Sequence, residues 1–213
     1  MTRYQIQEKI YVLPSPAGAY YAVSRPEEEA PRRLLRSLLK QSAAPLLSTD
    51  GLRSWSGIED DDSVMELLSH IQALGWIEGS DAPLTPPPGR LEDTLPELLA
   101  PLSGNSKVLL ADEQGFYLCS QGFAHETAEE LSALSADLAT LHERHAGLLK
   151  NNLGLRSNAW AVVDAAGNSE VGFWPMYIGK QRFVLVVGGM PRLNQPTFTH
   201  LIWALSIRYA GSC

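Results

Sequence analysis

The hydrophobic and polar positions between residues 107 and 209 follow two different periods, and the order of those periods predicts a series of elements. Two short apolar runs within 107–120 flank a polar turn that ends at Gly115, a pattern typical of a β-hairpin. Leucines at helical spacing then predict a long helix over 126–150. The remaining apolar runs predict strands at 159–163, 171–178 and 183–188, and helices at 91–102 and 196–209.

The resulting order over residues 91–213 is α-β-β-α-β-β-β-α. One five-stranded antiparallel sheet with helices on its faces accommodates that order, so the predicted fold class is α+β. Pro83, Pro86, Pro87 and Pro88 precede this part of the chain and favour an extended spacer. We therefore expect a domain over 1–82, a proline-rich linker over 83–90 and a second domain over 91–213.

The first 82 residues carry their own patterns. Strand-like runs at 4–13 and 19–24 are predicted to pair as a hairpin, and Ser24 followed by a proline and three glutamates predicts a helix start. That helix has one apolar face, formed by Leu34, Leu35, Leu38 and Leu39, and a basic side with Arg32, Arg33, Arg36 and Lys40. The basic cluster is expected to be a solvated face.

Two further helices, over 48–55 and 64–74, have Ser48 and Asp60 as predicted capping residues, and Gly75 is placed to end the second. A strand at 76–78 is predicted to turn back toward Leu84. Three helices ended by a small hairpin make a winged-helix-like arrangement, and the phrase HIQALGWIEG resembles the third helix and wing of that superfamily.

The second domain resembles the Roadblock/dynein light chain family. The resemblance lies in the LLADEQGFYLCSQG hairpin, the leucine-spaced helix after it, and the VLVVGG strand that leads into the final helix, and it covers about half of the chain. It implies a Roadblock-like dimerisation domain. It also implies a dimeric scaffold or regulator that works with small Ras-like GTPases, comparable to the bacterial MglB-like regulators.

The long helix carries the candidate dimer interface. Leu131, Leu134, Leu138, Leu141 and Leu148, together with His145, fall at 3-4-3-4-3 spacing, which is typical of a helix packed against another helix. The alternative is that this face covers the helix's own sheet. The Roadblock resemblance implies that the helix and a sheet edge meet the same elements of a second copy, and pairing two edges would remove both from solvent.

Aromatic residues mark a second candidate surface in the strand at 171–178. Phe173, Trp174 and Tyr177 lie close together there, and alternation places Phe173 and Tyr177 on the face opposite to Trp174. One face is expected to pack in the core. The other is either core as well or a surface that binds a partner protein, since aromatic residues are enriched at interface centres.

Composition and motifs limit the other function classes. The formal net charge is −7, from 17 basic and 24 acidic residues, so the whole surface does not attract nucleic acid. Motifs for nucleotide binding, nucleophilic hydrolysis and zinc proteolysis are not found, and neither Cys119 nor Cys213 belongs to a metal-binding pattern. We therefore expect no catalytic residue, cofactor or metal.

The N-terminus has no apolar core of a signal peptide, and no run is long enough for a membrane span, so the expected location is the cytoplasm. The function predicted from the sequence is a non-enzymatic dimeric scaffold or regulator that binds a small GTPase or a bacterial multiprotein complex. Two alternatives stay open. The first is a DNA-binding winged-helix regulator that dimerises through its second domain, and the second is a sensor whose sheet domain holds a small ligand.

Overall fold

The computed structural model describes residues 9–211. The strands in that part of the chain are β1 (Tyr11–Pro14), β2 (Ile77–Ser80), β3 (Val108–Asp112), β4 (Tyr117–Gln121), β5 (Trp160–Val163), β6 (Ser169–Ile178) and β7 (Gln181–Gly188). The helices are α1 (Pro16–Val23), α2 (Ala30–Leu39), α3 (Thr49–Ser56), α4 (Asp61–Ala73), α5 (Leu91–Leu99), α6 (His125–Arg144) and α7 (Pro196–Tyr209). A short 3-10 turn, Ala100–Leu102, extends α5, and a π-helical turn, Gly147–Asn152, follows α6.

The predicted five-stranded sheet is confirmed, with strand order β4-β3-β7-β6-β5 and antiparallel pairing throughout. The hairpin β3-β4 pairs Leu110 with Cys119, and a β-bulge follows in the register. The turn that joins its strands is held by Asp112, whose Oδ1 accepts from the main-chain nitrogens of Gln114 and Phe116, at 2.9 Å each. The α+β class and the element order of residues 91–211 therefore agree with the prediction.

Helices cover both faces of this sheet. On one face α6 lies against β3, β4 and β7. The core beneath it contains Leu109, Phe173, Val184 and Val186. On the other face α5 packs on β3 and β4, and α7 packs on β6. Because side chains alternate along a strand, β6 sends Phe173 to the α6 face and Met176 to the other.

Helix α7 joins the two halves of the molecule. It packs on the sheet and also against α1 and α2. Its Trp203 is fully buried, and the indole Nε1 donates to the main-chain oxygen of Gln41 at 2.8 Å. One continuous hydrophobic cluster runs from Val12 in β1 to Leu205 in α7. The division at 83–90 stays a prediction, and the core passes through both sides of it.

The N-terminal part differs from the prediction in its first two elements. Residues 19–24, predicted as a strand, belong to helix α1, and the part of the predicted 4–13 strand before residue 9 lies outside the described residues. The Ser15 side chain caps α1 by accepting from the Gly18 nitrogen at 3.1 Å, and Pro16 follows at the start of the helix. Ala19, Ala22 and Val23 are buried at helical spacing, so the apolar run that indicated a strand is one face of a helix.

Helix α2 begins at Ala30 and not at Ser24. The segment before it contains Pro26, and Pro31 follows Ala30 as the second helical residue. Proline is tolerated in the first turn of a helix but disfavours helical geometry in the residue before it. The strong start signal at Ser24 therefore gives way to a start close to the second proline.

Helices α3 and α4 confirm the predicted caps. Ser48 accepts from the Gly51 nitrogen at 3.1 Å, Asp60 accepts from the Ser63 nitrogen at 2.8 Å, and Gly75 has a φ of 65° just after α4. The hairpin predicted over 76–84 as the wing is wrong, because β2 pairs with β1. The chain pairs in this way because the start of α1 lies close to the residues that follow α4.

That approach depends on Ser15 and Gly18. The Ser15 nitrogen donates to the Trp76 oxygen at 3.1 Å, and its hydroxyl donates to the Gly75 oxygen at 2.6 Å. A Cβ atom on Gly18 would lie 1.9 Å from the Trp76 oxygen, so only glycine fits there. These contacts bring the chain after α4 alongside β1, where it forms a strand pair that sequence spacing does not show.

Helix α6 ends at Arg144, earlier than the predicted boundary at residue 150. The chain continues as a π-helical turn in which the Leu153 nitrogen donates to the Leu148 oxygen, five residues back, at 3.0 Å. Gly147 opens this turn, and glycine is a weak helix former. The predicted helix therefore divides into a regular helix and a wider turn that still carries Leu148.

Candidate interaction surface

The leucines predicted for the dimer interface divide into two sets. Leu131 and Leu138 are partly buried and pack on the α6 face of the sheet. Leu134, Leu141 and Leu148 are 45%, 39% and 50% exposed. Leu134 and Leu141 are seven residues apart, two turns of α6, so they line up on its solvent side, and Leu148 follows in the π-helical turn beyond the end of the helix. We call them the leucine row.

A shallow groove of about 370 Å³ lies along this row. It is lined by Leu134, Asp137, Leu138, Thr140, Leu141 and Arg144. Its floor is mostly apolar, and it has one acidic and one basic residue. A groove of this kind is suited to receive the side chains of another helix, because it combines apolar area with charges that fix orientation.

Strand β5 forms one edge of the sheet and is apolar there. Val162 and Val163 are each 54% exposed. Trp160 pairs with Phe173 and Val162 pairs with Val171 in the register of β5 and β6, so Trp160 and Val162 lie on the face that α6 covers. An exposed apolar edge strand is ordinarily paired or protected, because its free main-chain groups bind other strands.

His142 ties α6 to this edge. The Trp160 indole Nε1 donates to His142 Nδ1 at 3.2 Å. Since an indole nitrogen is only a donor, His142 Nδ1 carries no proton and Nε2 carries the hydrogen of the neutral ring. Burial lowers the pKa of His142, the nearby carboxylate of Glu143 opposes that shift, and the charge of Arg25 adds a smaller lowering effect.

The three aromatic residues predicted to bind a partner do not form one exposed surface. Phe173 is 3% exposed and belongs to the core under α6, and Trp174 is partly buried against the core on the other face. Tyr177 is half-buried, and its hydroxyl donates to Glu143 Oε1 at 3.5 Å. Because helices cover both faces of the sheet, Phe173 offers no surface to a partner, which corrects that part of the prediction.

The basic cluster of α2 is only partly the solvated face that we expected, since Arg33 and Lys40 are exposed but Arg32 and Arg36 are not. Arg32 is 3% exposed, and its Nε donates to the Tyr21 oxygen at 3.2 Å. Arg36 donates from Nε to the Ala22 oxygen at 2.7 Å and pairs with Glu28 at 2.6 Å. Both guanidinium groups therefore hold the end of α1 and the loop after it, and they are not free to bind phosphate.

The candidate metal ligands among the described residues do not converge on one point. Among residues 9–211, no group of three or more His, Cys, Asp and Glu side chains is arranged to hold a metal ion. Cys119 is partly buried against the core, and burial raises the pKa of its thiol. Within the same range no helix combines the length and the apolar character needed to cross a membrane.

Comparison with known proteins gives one partial similarity. No family model matches the chain, and no curated protein matches it. Among solved structures, the chain is similar to the crystal structure of a Roadblock/LC7 domain from Streptomyces avermitilis, with 13% sequence identity and a TM-score of 0.36. The match covers 53% of this chain and 89% of that one. We draw no functional conclusion from a likeness of that size.

Two features of this surface were not found from the sequence. The edge position of β5 depends on strand order, which the apolar run at 159–163 does not reveal. The exposure of Val162 and Val163 follows from that position. The seven-residue spacing of Leu134, Leu141 and Leu148 was visible within the longer leucine pattern. It could have separated the exposed set from the buried one.

Proposed function

We propose that the chain is a non-enzymatic scaffold or regulatory protein that acts as a homodimer. The observation that carries the proposal is the exposed leucine row on α6, on the same side of the sheet as the apolar edge strand β5. The hydrogen bond between Trp160 of β5 and His142, the residue after Leu141, brings the two features close together, and exposed apolar surface marks a protein contact. The occupant that we propose is a second copy of the same chain.

The order of residues along α6 supports a twofold contact. If two copies of α6 lie antiparallel about an axis near Leu141, then Leu134 of one copy meets Leu148 of the other. The same arrangement places Asp137 opposite the turn that contains Arg144, so the acidic and basic members of the groove pair across the axis. A twofold interface requires this self-complementarity, because each residue pair occurs twice.

The edge strand supports the same arrangement. Pairing β5 with β5 of the second copy would join two five-stranded sheets into one and would cover Val162 and Val163. The dimer would then have a continuous sheet with one α6 helix from each copy on the same face. This platform is the surface on which we place the binding of a further protein.

The partner that we propose for the dimer is a small Ras-like GTPase, the class implied by the Roadblock resemblance of the sequence. The dimer would act on the switch loops of the GTPase by contact. A bacterial multiprotein complex without a GTPase is the alternative within the same class of function.

Light scattering on the purified chain tests the dimer. A mass of twice 23.3 kDa at micromolar concentration is expected, and a mass equal to one chain would refute the proposal. The GTPase is tested separately. Purified Ras-like GTPases from the source organism are loaded with GDP or with a non-hydrolysable GTP analogue and titrated against the dimer, and nucleotide-dependent binding is the expected result. Binding of none of them refutes the GTPase and leaves the dimer standing.

A further inference from the structure

A cavity of about 280 Å³ lies where the loop after α1 meets the end of α6 and the tip of β6. Pro26, Ala146 and Leu155 supply apolar wall, and its polar groups come from Arg25, Glu27, His142, Glu143, Lys150, Ser157, Asn158 and Tyr177. At a liquid volume of ~30 Å³ per molecule it has room for about nine waters, which is also the size of a small metabolite. Leu134, Leu141 and Leu148 of the leucine row do not line it.

We propose that this cavity binds a small organic acid that carries a hydrogen-bond donor beside its carboxylate, the chemistry of an α-amino or α-hydroxy acid. The inference goes beyond the dimer and its protein partner, because it assigns a small-molecule site to the junction between the two halves of the chain. Three features of the cavity support it: an unpartnered acceptor, an unpaired positive charge, and a donor with a fixed orientation.

The acceptor is Oδ1 of Asn158. This residue is 8% exposed, and its Nδ2 donates to the Ser24 oxygen at 2.8 Å. Because a main-chain oxygen accepts and never donates, the amide has to present Nδ2 to Ser24, and Oδ1 therefore has to point elsewhere. Oδ1 has no hydrogen bond of its own among residues 9–211, because the Tyr177 hydroxyl, which interacts with the Asn158 amide, donates to Glu143 Oε1 instead. Buried polar atoms are rarely unpartnered, so a donor from a ligand is the expected complement.

The charge is that of Arg25. Of the two carboxylates in the cavity wall, Glu27 pairs with Lys150 at 3.1 Å and Glu143 pairs with Arg182 at 2.7 Å. Arg25 Nη2 donates to the main-chain oxygen of Arg156 at 2.5 Å, which is a neutral acceptor. The charge of Arg25 contributes to lowering the pKa of Glu27, but within the described part of the chain no carboxylate lies at ion-pair distance from Arg25, so a carboxylate of the ligand would supply a direct partner.

The donor is His142. Its Nδ1 accepts from Trp160, so the neutral ring has a single N–H, at Nε2, and that N–H is left for another group. The hydrogen bond from Trp160, which does not line the cavity, fixes the orientation of the His142 ring. A carboxylate oxygen that bridges Arg25 and His142 would satisfy both, and the neighbouring amino or hydroxyl group would reach Asn158. The apolar wall at Pro26 and Leu155 favours a short branched side chain.

Calorimetric titration of the full chain tests the site. The probes are L-leucine, 2-hydroxy-4-methylpentanoate, 4-methylpentanoate without a donor, isoamylamine without a carboxylate, and sulfate. We expect at least one of the two donor-bearing acids to bind below about 10 mM, and at least about tenfold more tightly than 4-methylpentanoate and isoamylamine. Absence of binding by both acids overturns the proposal. Equal binding of sulfate also overturns it, because the site would then hold an adventitious anion only.

Two variants locate the binding. Arg25→Met is expected to raise the dissociation constant of the acid at least tenfold. Arg192 is an exposed arginine elsewhere, and Arg192→Met is expected to leave that constant unchanged. Asn158→Leu is expected to abolish the preference for the hydroxy acid over 4-methylpentanoate. If Asn158→Leu does not fold, the arginine pair decides alone, and equal affinity in both arginine variants overturns the proposal. The mass in solution is measured in parallel, so a monomer that binds the acid refutes the dimer and not this site.

Discussion

The indole Nε1 of Trp203 donates to the main-chain oxygen of Gln41 at 2.8 Å, and this bond joins helix α7 to the chain just after α2. Trp203 has no exposed surface. The ring belongs to the hydrophobic cluster that the two halves share, and the bond at its edge is partly buried. It makes the folding of each half depend on the other.

Replacing Trp203 with phenylalanine tests that dependence. The variant removes the donor, leaves the Gln41 oxygen unpaired and opens a small cavity, so the free energy of unfolding is expected to fall by about 2–4 kcal/mol. Urea denaturation followed by circular dichroism measures it. Trp55→Phe, at a partly buried tryptophan in α3, is the matched control and is expected to cost less. Two separate transitions, with one insensitive to the substitution, would contradict a shared core.

Replacing Leu141 with aspartate tests the leucine row. A charge at the centre of the proposed twofold contact is expected to raise the dimer dissociation constant at least about 100-fold, which corresponds to about 2.7 kcal/mol. Sedimentation equilibrium across a concentration series measures it. Leu84→Asp is the matched control, since Leu84 is 41% exposed and Leu141 is 39% exposed. A dimer that tolerates Leu141→Asp and not Leu84→Asp would place the interface elsewhere.

Phe173 and Tyr177 are expected to respond differently to substitution. Phe173→Ala is expected to cost about 3–5 kcal/mol in the free energy of unfolding, because the ring is buried between α6 and the sheet. Tyr177→Phe removes a surface hydroxyl and is expected to change it by less than about 1 kcal/mol. Chemical denaturation compares the two. A Phe173→Ala protein that stays stable but no longer binds its partner would support the predicted aromatic partner surface.

His142 predicts a loss of stability in mild acid. Burial lowers the pKa of His142 in the folded chain, so the unfolded chain binds more protons below its own pKa of about 6.5. Stability is then complete above that pH and declines as the pH falls toward the folded pKa. Thermal unfolding at about pH 7.5 and 5.5 measures the decline, and His142→Gln is expected to reduce it. His200, whose pKa burial also lowers, contributes a remainder that His142→Gln leaves in place.

The contacts of Arg32 and Arg36 argue against the DNA-binding alternative. Because Arg32 and Arg36 hold main-chain oxygens of the α1 end, we expect no binding of duplex DNA between about 50 and 200 mM salt. Fluorescence anisotropy with a labelled random duplex measures it. Steep salt-dependent binding, lost in the exposed variant Arg33→Met, would favour a DNA-binding regulator instead.

The second half of the fold was predictable because its signals are local. The Asp112 turn, the leucine spacing of α6 and the Gly179 turn between β6 and β7 each lie within a few residues of the element they define. Side-chain alternation in β6 was equally visible. Which edge would be free was not, because strand order depends on contacts between residues far apart in the chain.

The first half was less predictable because distant contacts override its local signals. Ser15 determines both the cap of α1 and the approach to Gly75, sixty residues later, and that approach replaces the predicted wing. Arg32 is a second case in which contacts with other elements override the local signal. Its position on the basic side of α2 indicated solvent, and the oxygens that it binds come from Tyr21 in α1 and from Glu27 in the loop after α1.

The position of α7 also has a consequence for biosynthesis. Residues 196–209 leave the ribosome after every other helix and strand described, yet they fill the space between α1, α2 and the sheet. The nascent first half therefore emerges with an open apolar seam that nothing yet covers. At a synthesis rate of roughly 5–20 residues per second, that seam stays exposed for several seconds, the interval in which a chaperone would find it.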